Sequence, residues 1–173
     1  MEGIEKPEEQ FPSEKKESLR EIERVIVSAI IFSKDGKILM GRKDPKAGGV
    51  YPDSWHIPGG GIEEGENMEE TLRREILQET ELDISSAHIV KVPEVEDGIS
   101  EKTLKETGEK VLVHMQFNRF EVYLDKSADE VELNPGDDLV ELRWFSPEDL
   151  ANIQQIPGGK EFFEKKGYIP KAV

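Results

Sequence analysis

Residues 59–82 read GGGIEEGENMEETLRREILQETEL. Glycines crowd the start, glutamates recur through the rest, and Gln78 stands where another acid would continue the pattern. Between Asn67 and Glu81 there is no proline or glycine, and Asn67 and Glu70 have the spacing of a capping box, so a helix is predicted there. On a projection at about 100° per residue with Glu75 at zero, Met68 falls at roughly 20°, Glu79 at roughly 40°, Leu72 at roughly 60° and Ile76 at roughly 100°. Glu75 and Glu79 therefore share the apolar sector, while Glu70, Arg73, Leu77 and Glu81 occupy the opposite, mostly charged face. Two carboxylates one turn apart and aimed into the protein repel each other and lose solvation unless something positive compensates. Arg74, about 100° away on the projection, would help only in part. A divalent cation would satisfy both acids, and magnesium suits such a place because it prefers hard oxygen ligands and leaves positions for substrate phosphates. The preceding WHIPGGG, residues 55–61, lets backbone approach a ligand or metal closely, since glycine carries no Cβ.

The remaining composition is consistent with that chemistry. A chain of 173 residues suits one domain with a real core. Its formal charge of -15 argues against a nucleic-acid polymer or an anionic membrane as partner, and makes a cation the natural mediator for a phosphorylated small molecule. The absence of cysteine excludes disulfides, thiolate zinc sites and cysteine nucleophiles. His56, His88 and His114 are too scattered to form a histidine metal motif. With no long apolar run and no signal-peptide segment, the expected compartment is the cytoplasm.

Outward from the helix, residues 1–20 mix charges and prolines with few apolar residues and are expected to form a flexible tail, followed by a single domain over 21–173. From Arg24 the run VIVSAIIF, a turn at Asp35-Gly36 and ILMGR predict a two-stranded hairpin. Residues 43–54 read as loop. Strand signals return at HIVKVPEV and VLVHMQFNRFEVYL, whose apolar phase flips near Asn118 and predicts a bulge or bend. The polar stretch between them, EDGISEKTLKETGEK, reads as a long hairpin loop. LVELRWF is a last strand, Ser146-Pro147 opens a short helix, and KEFFEKK before Gly167 is a final one. Strands outnumber helices, so the class is α+β.

The spacing Gly60, five residues, Glu66, seven residues, Arg74-Glu75-Ile76-x-Gln78-Glu79-x-Glu81-Leu82 resembles the Nudix box, Gx5Ex7REUxEExGU, where U is bulky and aliphatic. Trp55-x-Ile57-Pro58-Gly59-Gly60 is similar to that family's entry segment. Leu142-x-Trp144-Phe145 with Pro147-Glu148-x-x-Leu150 extends the likeness, which runs from about residue 22 to 155. The resemblance implies a Nudix fold, a mixed β-sheet sandwiched between α-helices. It also implies a pyrophosphohydrolase that cleaves a nucleoside diphosphate linked to another moiety, by water attack on phosphorus with Mg2+ or Mn2+. Carried over by residue, Glu79 matches a principal metal ligand, and Glu75 a carboxylate that binds metal or positions the water. Gly60 and Gly59 match loop backbone facing metal and substrate, and Glu66 and Arg74 match supporting positions.

The chain departs from the pattern at two places. Gln78 replaces a glutamate that commonly contributes to metal binding; its amide oxygen can ligate magnesium but supplies no charge. Glu81 replaces a glycine, and either adopts a left-handed conformation at a cost on the order of 1 kcal/mol or lets the helix run on. In this family the general base is not always in the box. Asp137 and Asp138, ahead of LVELRWF, are the candidates by position, with Asp138 taken into the catalytic set. Arg42, at the end of the second strand, is a candidate phosphate ligand, and Trp55 and Phe117 are aromatic candidates for stacking on a base. The alternative to hydrolysis is a Nudix-like nucleotide-binding or regulatory domain with weak or no turnover, for which Gln78 is the evidence. A homodimer is compatible with the sequence.

Overall fold

The computed structural model describes residues 18–47, 53–137 and 139–171. Strand β1 (Arg20–Phe32) lies inside the sheet because its β-branched run supplies apolar side chains to both faces. It turns into β2 (Ile38–Lys43) through residues 33–37, where Gly36 takes φ 82° and Ser33 N donates to the Lys37 carbonyl. The predicted hairpin is therefore present. It holds β2 beside β1 only at Phe32 and Ile38; β2 then peels away to pair antiparallel with β3 (Trp55–His56) and β7 (Leu139–Phe145). The edge of β1 that β2 leaves is taken by β4 (Gly59–Gly61), with Ile26, Val27 and Ser28 opposite Gly61, Gly60 and Gly59.

On its other side β1 pairs in parallel with β6 (Lys110–Tyr123) from Arg20 to Phe32, and β5 (His88–Thr103) pairs antiparallel with β6 as the outer strand. The sheet is thus mixed. Helix α1 (Met68–Thr80) buries Leu72 and Ile76 against Val27, Ala29, Ile31, Leu39, Phe120 and Val122. The alternate residues Ile30, Ile38 and Met40 face the opposite side, where they pack with Leu150 of α2 (Pro147–Leu150) and with Phe162 and Phe163 of α3 (Gly159–Lys166). This is the expected α+β class, a mixed sheet with helices on both faces. Burying Leu72 and Ile76 contributes about 2 kcal/mol each, which anchors the acid-bearing helix to the sheet.

Three local expectations are corrected. Residues 96–103 are not loop: β5 continues to Thr103, and only 104–109 connect it to β6. This outer strand is charged and mostly exposed, so it carries no apolar alternation, and its extended state comes from pairing with β6. The bulge expected near Asn118 lies on the facing strand, between Lys91 and Val95, while β6 itself stays in register with β1. β1 begins at Arg20, ahead of the apolar run and inside the stretch read as tail. The ends of the other elements follow the sequence signals: Ser146 accepts from Asp149 N at α2, and Gly167 closes α3 with φ 75°. Among the described residues no helix is long and apolar enough to cross a membrane.

Candidate active site

The site forms where α1 crosses the glycine strand. Asn67 caps α1, accepting from Glu70 N at 2.9 Å while the Glu70 carboxylate accepts from Asn67 N at 3.3 Å, so the predicted capping box is complete. Just before it, Glu66 accepts from Thr71 Oγ1 at 2.6 Å and from Arg74 in a two-point fork, Nε at 2.6 Å and Nη2 at 3.0 Å. Arg74, followed by Thr71, holds the Glu66 carboxyl down to about 2, and Glu66 in turn raises the guanidinium of Arg74 against its partial burial. The same guanidinium donates to the Gly61 carbonyl at 3.2 Å and to Glu75 Oε1 at 2.8 Å. Arg74 and Glu66 thus tie the loop, the glycine strand and the helix together, as supporting residues would. The projection underrated Arg74: its Cα direction points away from Glu75, but the side chain is long enough to reach back.

Glu75 and Glu79 both face inward, and the exposed face opposite carries Glu70, Arg73, Leu77 and Glu81. Glu75 lies against Gly60 so closely that a Cβ there would stand 2.3 Å from its carboxyl carbon. Glu79 is only 7% exposed. Among the described residues its carboxylate accepts one hydrogen bond, from Gly59 N at 3.1 Å. Burial drives its carboxyl up to about 8; the Gly59 bond opposes this, the charges of Glu75 and Asp137 add to it, and Lys43 opposes it. Among the described residues no positive side chain forms an ion pair with this buried acid, and only the charge of Lys43 acts on it from a distance.

Among the described residues no three carboxylates or histidines close on one point at metal-binding distance. Magnesium commonly uses only one or two carboxylates and completes its shell with water and substrate phosphate. Glu79, under-compensated and beside Glu75 and the backbone of Gly59 and Gly60, fits that requirement. Two surface hollows, one beside Glu94, Phe162 and Lys166 and one beside Leu82, Asp125 and Lys126, lie away from these acids. The acids and the glycine strand, not a cavity, mark the site.

Gln78 is exposed and its amide oxygen accepts from Arg74 Nη1 at 3.4 Å, so its acceptor is turned toward the same guanidinium that holds Glu75. Glu81 takes the left-handed conformation, φ 60°, and Asn134 Nδ2 donates to its carboxylate at 3.0 Å. The loop behind it caps the helix: Asn134 N donates to the Thr80 carbonyl and Gly136 N to the Glu79 carbonyl. Asp137 follows directly, φ 56°, and its charge acts on Glu79. The geometry therefore brings Asp137 to the acid pair; Asp138 lies outside the described residues.

Arg42 is engaged elsewhere. It donates to Glu141 Oε2 and to Asp53 Oδ1. Trp55 is buried edge-on against Phe145, with ring centroids 5.0 Å apart, and serves the core. Phe117 packs near Gly98 on the side of the sheet away from α1. Sequence reasoning missed Arg24, whose guanidinium lies against Gly61 of the glycine strand. Its place there becomes visible only through the pairing of β1 with β4.

Residues 22–166 match the NUDIX domain family. The Escherichia coli K12 nucleoside triphosphatase NudI is 30% identical over 147 residues, covering 85% of this chain and 99% of that protein. In fold, the chain is similar to the E. coli dihydroneopterin triphosphate pyrophosphohydrolase, with TM-score 0.60 and 16% identity over 82% of this chain and 92% of that one. It is also similar to the NUDIX domain of Shewanella oneidensis NrtR complexed with ADP ribose, with TM-score 0.57 and 14% identity over 84% and 87%.

Proposed function

We propose, since this chain belongs to the NUDIX family and is a Nudix-type hydrolase acting on nucleotide-derived substrates, that it cleaves the pyrophosphate bond of a nucleoside diphosphate linked to another moiety. The observation that carries this reading is Glu79: a buried carboxylate set beside Glu75 and the glycine strand and short of positive charge. Glu79, Glu75, the Gly60 carbonyl and the Gln78 amide oxygen would hold Mg2+ or Mn2+, which supplies positive charge to the diphosphate oxygens.

The chain's own residues divide the remaining work. Arg74 orients Glu75, and Glu66 keeps Arg74 in place. Gly59 N fixes one oxygen of Glu79. Asp137 or Asp138 takes the proton of the attacking water: Asp137 stands at the end of the loop that caps α1, and Asp138 is the candidate by position in the sequence. If so, Asp137→Asn and Asp138→Asn together lower kcat by roughly 10²-fold or more with little change in KM. A double variant that keeps the full rate removes the distal base.

A second reading, nucleotide binding with weak turnover, is favoured by Gln78 alone. It predicts that Gln78→Glu tightens magnesium, roughly tenfold for one added charge close to the ion. Titration calorimetry with magnesium checks this, and an unchanged affinity means that position 78 does not face the metal. Phosphate release from nucleoside triphosphates, nucleotide sugars, ADP-ribose and dinucleoside polyphosphates, with magnesium or manganese, separates the two readings. Turnover of none of them leaves binding alone.

A further inference from the structure

Among the described residues three that are not glycine take a positive φ, and two of them, Glu81 at 60° and Asp137 at 56°, flank one contact between α1 and the loop that caps it. An L-residue in that conformation is strained, and such strain persists where surrounding contacts over-determine it, most often beside functional sites. Glu81 stands where the Nudix box carries glycine, which would meet the same backbone requirement without strain. What glutamate adds is a side chain, and its carboxylate accepts from Asn134 Nδ2 at 3.0 Å.

That contact belongs to a wider closure of the helix end. Asn134 N donates to the Thr80 carbonyl at 3.2 Å and Gly136 N to the Glu79 carbonyl at 2.9 Å, which satisfies carbonyls that α1 leaves without helical partners in its last turn. Gly136 lies so close to the helix that a Cβ there would stand 2.2 Å from the Gln78 carbonyl oxygen. Leu133 packs against the core ahead of this segment, and β7 begins at Leu139 behind it, where Leu139 N donates to the Gly136 carbonyl at 3.1 Å. Both ends are thus anchored, and Pro135 restricts the backbone between the two bonds to α1. Asp137 follows at once, so its backbone is placed beside the turn that carries Glu79.

We propose that Glu81 and Asn134 are positioning residues, whose side-chain bond clasps residues 134–137 to the last turn of α1 and so fixes where Asp137 stands relative to Glu79. The clasp rests on the hydrolase reading above, with Asp137 acting on the attacking water, and deepens it. It also gives the departure from glycine a role. Glycine would relax the backbone and lose the acceptor, so the strain at Glu81 is exchanged for the position of a loop. The bond is exposed and adds little to global stability, whereas a small displacement of an acting acid costs rate steeply.

The test compares the full chain with Glu81→Gly, Asn134→Ala, the two combined, and Glu81→Gln. Glu81→Gly and Asn134→Ala each lower kcat about fivefold and leave KM within about twofold. The combined variant falls no further than either alone, because both changes remove the same bond. Glu81→Gln keeps kcat within about twofold, since its amide oxygen accepts from Asn134 as the carboxylate does. Glu81→Gly melts within about 3 °C of the unaltered chain, relief of strain offsetting the lost bond, whereas a merely structural role would move rate and Tm together. Hydrogen exchange in the metal-free protein reads the clasp without substrate. The Asn134 and Gly136 amides exchange about three- to tenfold faster in Glu81→Gly and Asn134→Ala, and as in the unaltered chain in Glu81→Gln. Unchanged exchange in the first two overturns the clasp whatever the activity, and faster exchange with full kcat overturns its positioning role. Hydrolysis by none of the proteins, with exchange accelerated as expected, leaves the clasp standing and removes the hydrolase reading.

Discussion

Glu79→Gln lowers metal-dependent turnover by roughly 10³-fold or more and flattens the pH dependence of stability in the metal-free protein. The first effect follows from removing a charged ligand where Gln78 already contributes none. The second follows from proton linkage. Glu79 is pushed from its ordinary 4.5 up to about 8, chiefly by burial. Between these values the folded chain holds a proton that the unfolded chain has released, so stability falls as pH rises through this window. The penalty is absent below about 4.5 and complete above about 8, where it amounts to a few kcal/mol. Glutamine cannot ionise, so its variant loses this slope. Its new amide N–H group needs an acceptor and costs about 1–3 kcal/mol if it finds none. The slope of the urea midpoint against pH is therefore the signature, rather than the midpoint itself. Magnesium should also stabilise the unaltered chain more strongly as pH rises, because it binds the ionised form. Parallel pH profiles for the two proteins, or full activity in the variant, would refute the assignment of Glu79.

The acid pair was legible in sequence because helical geometry is local. The capping box, the uninterrupted run and the 3.6-residue period put Glu75 and Glu79 on the packed side of α1 before any tertiary contact was known. The link between Arg74 and Glu75 was not legible, since a projection of Cα directions ignores the reach of a guanidinium. The second half of β5 was hidden for another reason. An exposed outer strand needs no apolar alternation; the hydrogen bonds of β6 hold it extended. The approach of Arg24 to Gly61 needs the register of β1 and β4, which no local pattern encodes. Glu81 was open between two conformations, and the left-handed one is held by contacts from residues 134 and 136, far along the chain.

Gly59→Ala and Gly60→Ala add the same methyl group to neighbouring residues and should fail in opposite ways. A Cβ at Gly59 would stand 2.2 Å from the Val27 carbonyl oxygen and 2.6 Å from Ser28 Cα. These are backbone atoms of the central strand and cannot retreat, so β4 must leave β1 and the Gly59 bond to Glu79 is lost with it. The expected cost is about 3 kcal/mol or more, which lowers Tm by roughly 10 °C for a domain of this size. A Cβ at Gly60 would instead meet the Glu75 carboxylate, at 2.3 Å from its carboxyl carbon and 2.4 Å from Oε1. That group ends a flexible side chain and can swing away, so stability changes by about 1 kcal/mol or less. Once displaced, Glu75 leaves the place where Arg74 holds it beside Glu79, and kcat falls roughly 10²-fold or more. Thermal unfolding and initial rates on the two variants separate a strand that must fit its neighbour from a strand that must leave room for an acid. If Gly60→Ala keeps the full rate, Glu75 does not need its contact with the glycine strand to act. If Gly59→Ala melts with the unaltered protein, β4 is not pinned to β1 as tightly as its contacts require.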